Sequence, residues 1–177
     1  MAIHDMLLPE FDQEMANTRK MLESVPDDRF DFQPHQKSWK LNQLAGHVVD
    51  LPNWATHTMS VDVLELDSSK HQPFVPTNRK QLLEQFDMYV SEARASIANA
   101  TDEQLNHIWS LKWEGKTVIT MPRIAVLRSM VMNHLIHHRA HLGMYLRLMN
   151  VAVPGMYGPS ADEMPFAMTD KGTERAA

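Results

Sequence analysis

Cysteine is absent from this 177-residue sequence, which excludes disulfides, thiolate nucleophiles and any zinc or iron–sulfur site built on sulfur. A metal ion would have to be held by nitrogen and oxygen. Positive charge is also short: 17 Lys and Arg against 22 Asp and Glu leave a formal net charge of −5. No basic field therefore draws nucleic acid or anionic lipid from a distance, and neither is expected as a partner. No apolar run approaches the roughly 20 residues that span a bilayer, and the segment from Met1 to Phe11 lacks a positive stretch followed by an apolar one. A cytoplasmic protein is expected.

Hydrophobic residues make up 44% of the chain, enough for one continuous core, so residues 1–177 are expected to form a single domain. Fourteen methionines are read as adaptable core packing. Trp39, Trp54, Trp109 and Trp113 are likewise read as packing rather than as a platform for bases. Histidine is the over-represented residue: there are ten, and four of them crowd into residues 134–141.

Apolar residues recur at helical spacing in four long stretches. The first, about residues 3–25, carries Met6, Leu7, Phe11, Met15, Met21 and Leu22 and ends at Pro26. A second, about residues 39–63, follows a Ser38 cap and places Leu44, His47, Leu51, Trp54 and Thr58 on one side, with Pro52 expected to kink it. Residues 67–77 look like a loop. A third helix, about residues 78–100 behind a Thr77 cap, buries Leu82, Leu83, Phe86, Tyr89, Val90, Ala93 and Ile97. Thr101 to Gln104 resembles a capping box. Residues 109–120 alternate around Glu114-Gly115 and suggest a small β-hairpin. The fourth long helix starts with Pro122 at its first position and runs to about Asn150; the tail, 151–177, looks irregular. The fold class expected is all-α, a four-helix bundle with a β-hairpin before the last long helix.

The last helix offers two histidine pairs at i,i+4 spacing, His134 with His138 and His137 with His141. Residues four apart lie on one helix face roughly 5–6 Å apart at Cβ, so either pair can converge on an ion about 2 Å from each nitrogen. Projection at roughly 100° per residue separates them. Ile124, Leu127, Val131, Leu142, Tyr145 and Met149 cluster in one direction with His134 and His138 among them. His137 and His141 fall toward the edge, and Arg128, Arg139 and Arg147 point well away. A further ligand must come from a neighbouring helix, and His47, on a face with Leu44, Leu51 and Trp54, is the best candidate because a buried imidazole needs its ring nitrogens satisfied. Asp50, Asp162 and Glu163 are candidate hydrogen-bond partners of the ligands, or a fourth ligand.

These residues, Leu44-Ala-Gly-His47 with Asp50 and Trp54, Asn133-His134-Leu-Ile-His137-His138-Arg139, and Leu142–Arg147 leading into Val153-Pro-Gly-Met-Tyr157-Gly158, resemble the DinB/YfiT-like superfamily over nearly the whole chain. The resemblance implies an up-down-down-up four-helix bundle, often dimeric. It also implies a triad of one histidine on the second helix and two on the last, which falls on His47, His134 and His138. Members of the superfamily are described with nickel or zinc, and some are transferases or isomerases using a low-molecular-weight thiol. Where that family often has Gly-Gln after His-Arg, this chain has Ala140-His141, which makes His141 an extra base or an alternative ligand.

Three neutral imidazoles leave coordination positions open, as in catalytic sites. The expectation is a metal-dependent enzyme, a transferase activating the thiol of an exogenous small molecule, acting as a homodimer. The alternatives are a metal-dependent hydrolase and a non-catalytic, stress-related metal- or ligand-binding bundle.

Overall fold

The structure, a computed structural model, describes residues 1–67, 69 and 72–163. It is mostly helical with one small sheet. The long helices are α1 (Ile3–Glu23), α2 (Leu41–Ser60) and α3 (Arg79–Ala98), followed by the short α4 (Asp102–Asn106). The last helical stretch runs without a break through α5 (Arg123–Val126), a π-helical segment (Leu127–Asn133) and α6 (His134–Leu148). Between α4 and α5 lie β2 (Ile108–Trp113) and β3 (Lys116–Pro122), and β1 (Val63–Leu66) follows α2.

Helix α2 packs on α3 and on α6, and α1 packs on the same two helices. The apolar stripes explain this arrangement: Leu7, Phe11, Met15 and Leu22 of α1, Leu44, Val48, Leu51 and Ala55 of α2, Leu82, Phe86 and Ile97 of α3, and Leu127, Val131, Leu142 and Leu146 of the last stretch meet in one core. Met6, expected on the buried stripe of α1, is instead 64% exposed. The expected irregular tail holds for residues 151–163, and residues 164–177 lie outside the described residues. Among the described residues no helix is long and apolar enough to cross a membrane.

Several element ends differ from the sequence reading for local reasons. Helix α2 begins at Leu41 rather than behind Ser38, and the Gln43 side chain accepts from the Lys40 amide in its first turn. It runs through Pro52 and stops at Ser60, so Val63, expected to be helical, opens β1. Asn78 rather than Thr77 caps α3, its side chain accepting from the Gln81 amide. The capping box at Thr101 and Gln104 is present in both directions. Pro122 ends β3 and caps the last stretch instead of occupying its first turn.

The hairpin turns where the sequence placed it. Glu114 and Gly115 have φ of 47° and 77°, the left-handed pair that a two-residue turn between twisted strands requires. Strand β1 adds to it in parallel, giving the order β1-β2-β3. Trp109, Leu111 and Val126 form a second small core beneath the sheet, with Leu64, Leu66, Ile119, Met121 and Met130 around it.

The sheet also clamps the two site-bearing helical stretches together. Arg123, at the start of the last stretch, is only 7% exposed. Its guanidinium donates to Asp62 Oδ1 at 2.8 Å and to the Val61 carbonyl at 3.2 Å, just past the end of α2.

Candidate metal centre

His47 sits on α2 immediately after Gly46, on a helix held by the buried Leu44, Val48 and Leu51. His134 is the first residue of α6, directly after the π segment, and His138 follows one turn later. Their rings converge. His134 Nε2 lies 3.4 Å from His47 Nε2 and 2.9 Å from His138 Nε2, and ligand nitrogens of all three lie within 4.8 Å of one another. Three nitrogens about 2 Å from one tetrahedral ion would stand roughly 3.3 Å apart, close to this spacing. A three-histidine group that could hold a metal ion is therefore present.

The electrostatics favour ligands over bases. Burial, and then repulsion from His134, pushes His47 down to about 4. Burial, followed by the surrounding His47, His134, His137 and His141, pushes His138 down to about 3. His134 is lowered as well, first by burial. All three imidazoles are thus neutral at pH 7, the state in which a ring nitrogen keeps a lone pair for a metal.

Two neighbours shape this centre. Trp39 stacks on His138, with ring centroids 5.6 Å apart and planes at 20°, and meets His47 edge-on at 5.1 Å. Expected as packing, it is 46% exposed and covers the centre from the solvent side. Gly46 lets the 73–76 segment close over α2: a Cβ there would meet the Phe74 carbonyl oxygen at 2.0 Å. A cavity of about 330 Å³ lies between them, lined by Trp39, Gln43, His47, Asp50, Phe74 and Val75.

The other sequence candidates separate. Asp50 lines the cavity but lies outside the histidine group. Asp162 lies outside the histidine group: both its oxygens take Arg147, at 2.5 and 3.1 Å, and it accepts from the Val153 amide. Glu163 likewise lies outside the group. His141 pairs with His137, centroids 4.3 Å apart, in a second group that includes His138.

Arg139, expected to point away from the core, is 2% exposed. It donates to Glu14 Oε2 at 2.7 Å, to the Glu14 carbonyl at 3.0 Å and to Thr18 Oγ1 at 3.1 Å. The hydroxyl of Tyr157 completes the network, accepting from Arg139 at 2.7 Å and donating to Glu14 at 2.8 Å. This buried pair locks α6 to α1 one residue beyond His138. Helical projection missed it because the stripe it followed was too narrow: Met132, Leu135 and Leu146 are buried as well, and the partner carboxylate lies on another helix.

Comparison with known proteins agrees with this architecture. The uncharacterized protein YrdA of Bacillus subtilis (strain 168) is 24% identical over 166 residues, covering 90% of each chain. The crystal structure of a DinB-like protein from Bacillus cereus ATCC 10987 superposes with a TM-score of 0.64 at 23% identity, covering 85% of this chain and 95% of that one. That of the DinB-like protein YjoA from Bacillus subtilis gives 0.66 at 19%, covering 85% and 97%. The sequence profile of the DinB family itself matches residues 2–173, and on that match, spanning nearly its whole length, the chain belongs to the DinB family.

Proposed function

We propose that the chain is a metal-dependent enzyme whose His47, His134 and His138 hold one divalent transition ion, nickel or zinc, beside a small-molecule cavity, and that it is a transferase acting on a low-molecular-weight thiol. The observation that carries the reading is the convergence of three neutral imidazoles, one of which, His47, lines the 330 Å³ cavity. When bound, such an ion lowers the pKa of a coordinated thiol or water and so supplies a nucleophile near neutral pH. With no cysteine in the chain, the thiol comes from outside.

The chain's own residues do the rest. Trp39 and Phe74 wall the cavity with aromatic surface, which excludes water and suits a substrate with an apolar body. Gln43 and Asp50 supply the polar groups that orient it. The four long helical stretches are read as up-down-down-up, supported by the long connection between α2 and α3. A cytoplasmic homodimer joined through outer helix faces is the expected assembly.

The test is to strip the protein with a chelator, restore one metal at a time and assay against thiols paired with electrophiles. Turnover that needs both metal and thiol supports the reading. Turnover with water alone identifies a hydrolase. Loss of thermal stability without any turnover on metal removal identifies a binding bundle.

A further inference from the structure

Beyond the inner triad, α6 carries a second set of imidazoles that the proposed function leaves unused. His137 and His141 are both exposed, their ring centroids are 4.3 Å apart, and with His138 their ligand nitrogens lie within 4.8 Å of one another. Among the described residues neither ring is engaged by a carboxylate. His137 lies 4.9 Å and His141 5.6 Å from the His138 ring, which in turn lies 4.7 Å from His134 and 4.6 Å from His47. Five imidazoles therefore run without a gap from solvent into the centre.

We infer that His137 and His141 form a second, solvent-facing site for a divalent transition ion, and that this site loads the inner triad by way of His138.

An exposed i,i+4 histidine pair grips such an ion because both nitrogens lie on one face at a separation that a single metal can bridge. Imidazole nitrogen favours nickel, copper and zinc over calcium or magnesium, which prefer oxygen. His138 is suited to a hand-over for a reason internal to its ring. A metal-binding histidine is ordinarily fixed by a hydrogen bond from its other nitrogen, but His138 Nδ1 is buried and has no hydrogen-bond partner among the described residues. On that side of the ring it is the Trp39 stack that restrains its plane. The open surface beside it, lined by Lys37, Ser38, Trp39, His138, His141 and Tyr145, gives an arriving ion access.

The loading role rests on the metal reading of the inner triad, whereas the outer site does not. The test compares the metal-free full chain with His137→Ala/His141→Ala, His47→Ala and His35→Ala, using nickel chloride alone. Equilibrium dialysis counts bound ions, and the part of the tryptophan emission change that is lost in Trp39→Phe follows filling of the centre. The double variant should hold one fewer ion per chain than wild type and fill the inner centre more slowly. An unchanged ion count would overturn the outer site, as would equal loss in His35→Ala, where a histidine without histidine neighbours is removed. A lower count with an unchanged filling rate would overturn the loading role. His47→Ala should lose the tight ion and keep the exposed one; if it loses none, the inner-triad reading fails while the double variant still decides the outer site. Both substituted side chains are exposed, so unfolding curves should match wild type.

Discussion

The indole of Trp39 lies nearly parallel to the imidazole of His138, 20° between planes and 5.6 Å between centroids, while its edge meets His47. One exposed side chain thus restrains two of the three rings of the centre, and it holds His138, whose Nδ1 has no hydrogen bond among the described residues to do so. Trp39→Ala should therefore weaken metal binding without unfolding the protein. An aromatic pair contributes ~0.5–1.5 kcal/mol, so nickel affinity measured calorimetrically should fall roughly two- to tenfold. An unchanged affinity would show that the stack is incidental.

Within the histidine run, neighbouring positions should differ sharply. His138→Ala should empty the tight position, whereas His137→Ala should leave it filled after exhaustive dialysis, because only the former contributes to the group with His47 and His134. Metal analysis of the two purified variants is sufficient. Equal loss in both would mean that the wrong pair faces His47.

Acid should destabilise the metal-free protein. An unfolded chain takes up protons on histidine near pH 6.5, but in the folded state His47 waits until about 4 and His138 until about 3. Their contribution to stability is intact above about 6.5 and is lost progressively as pH falls from there, the loss complete for His47 below about 4 and for His138 below about 3. Urea unfolding between about pH 6.5 and 5, above most carboxylate titrations, should show this slope in wild type and a shallower one in His47→Gln/His138→Gln. Identical slopes would remove these two rings from the linkage.

The Glu14–Arg139 pair should resist single substitution and tolerate replacement as a unit. Removing one partner of a buried ion pair typically costs ~3–5 kcal/mol because the other charge is left without compensation. Arg139→Met should approach that cost, and Glu14→Leu/Arg139→Met should recover much of it. Chemical denaturation measures both, and a single variant as stable as wild type would show that the network does not hold α6 to α1.

Gly46→Ala should be damaging out of proportion to one methyl group. Its Cβ would fall 2.0 Å from a main-chain oxygen of Phe74, which cannot rotate away as a side chain would, so α2 and the 73–76 segment must part. A cost of ~1–3 kcal/mol should accompany a change in ligand affinity at the cavity beside His47. A variant with wild-type melting and affinity would show that the segment yields freely.

The helices and the inner triad were legible because they depend on periodicity: Leu44, His47 and Leu51 share a face, and so do Val131, His134, His138 and Leu142. The hairpin was legible from a two-residue turn motif. Strand β1 was not, since Val63–Leu66 is only four residues long and acquires its partner from Ser110 to Trp113, far along the chain. Arg139 was misread because the stripe drawn through the apolar residues was narrower than the face that is buried, and for the stacking of Trp39 on the centre the sequence carried no signal. The partners of these two, Glu14 and His138, are fixed only in three dimensions. The π segment left no periodic signature, as seven residues are too few to distinguish its pitch from that of an α-helix.

That segment, Leu127–Asn133, lies between the Arg123 clasp and His134, and it makes the length of the chain there an angular setting. Excising a single residue would turn everything downstream by roughly 100°. The imidazoles of α6 would swing off α2 and Arg139 off Glu14 in one movement. Insertions and deletions can accumulate in the turns of this protein, but in this stretch a change of one residue would dismantle both the centre and its buried anchor.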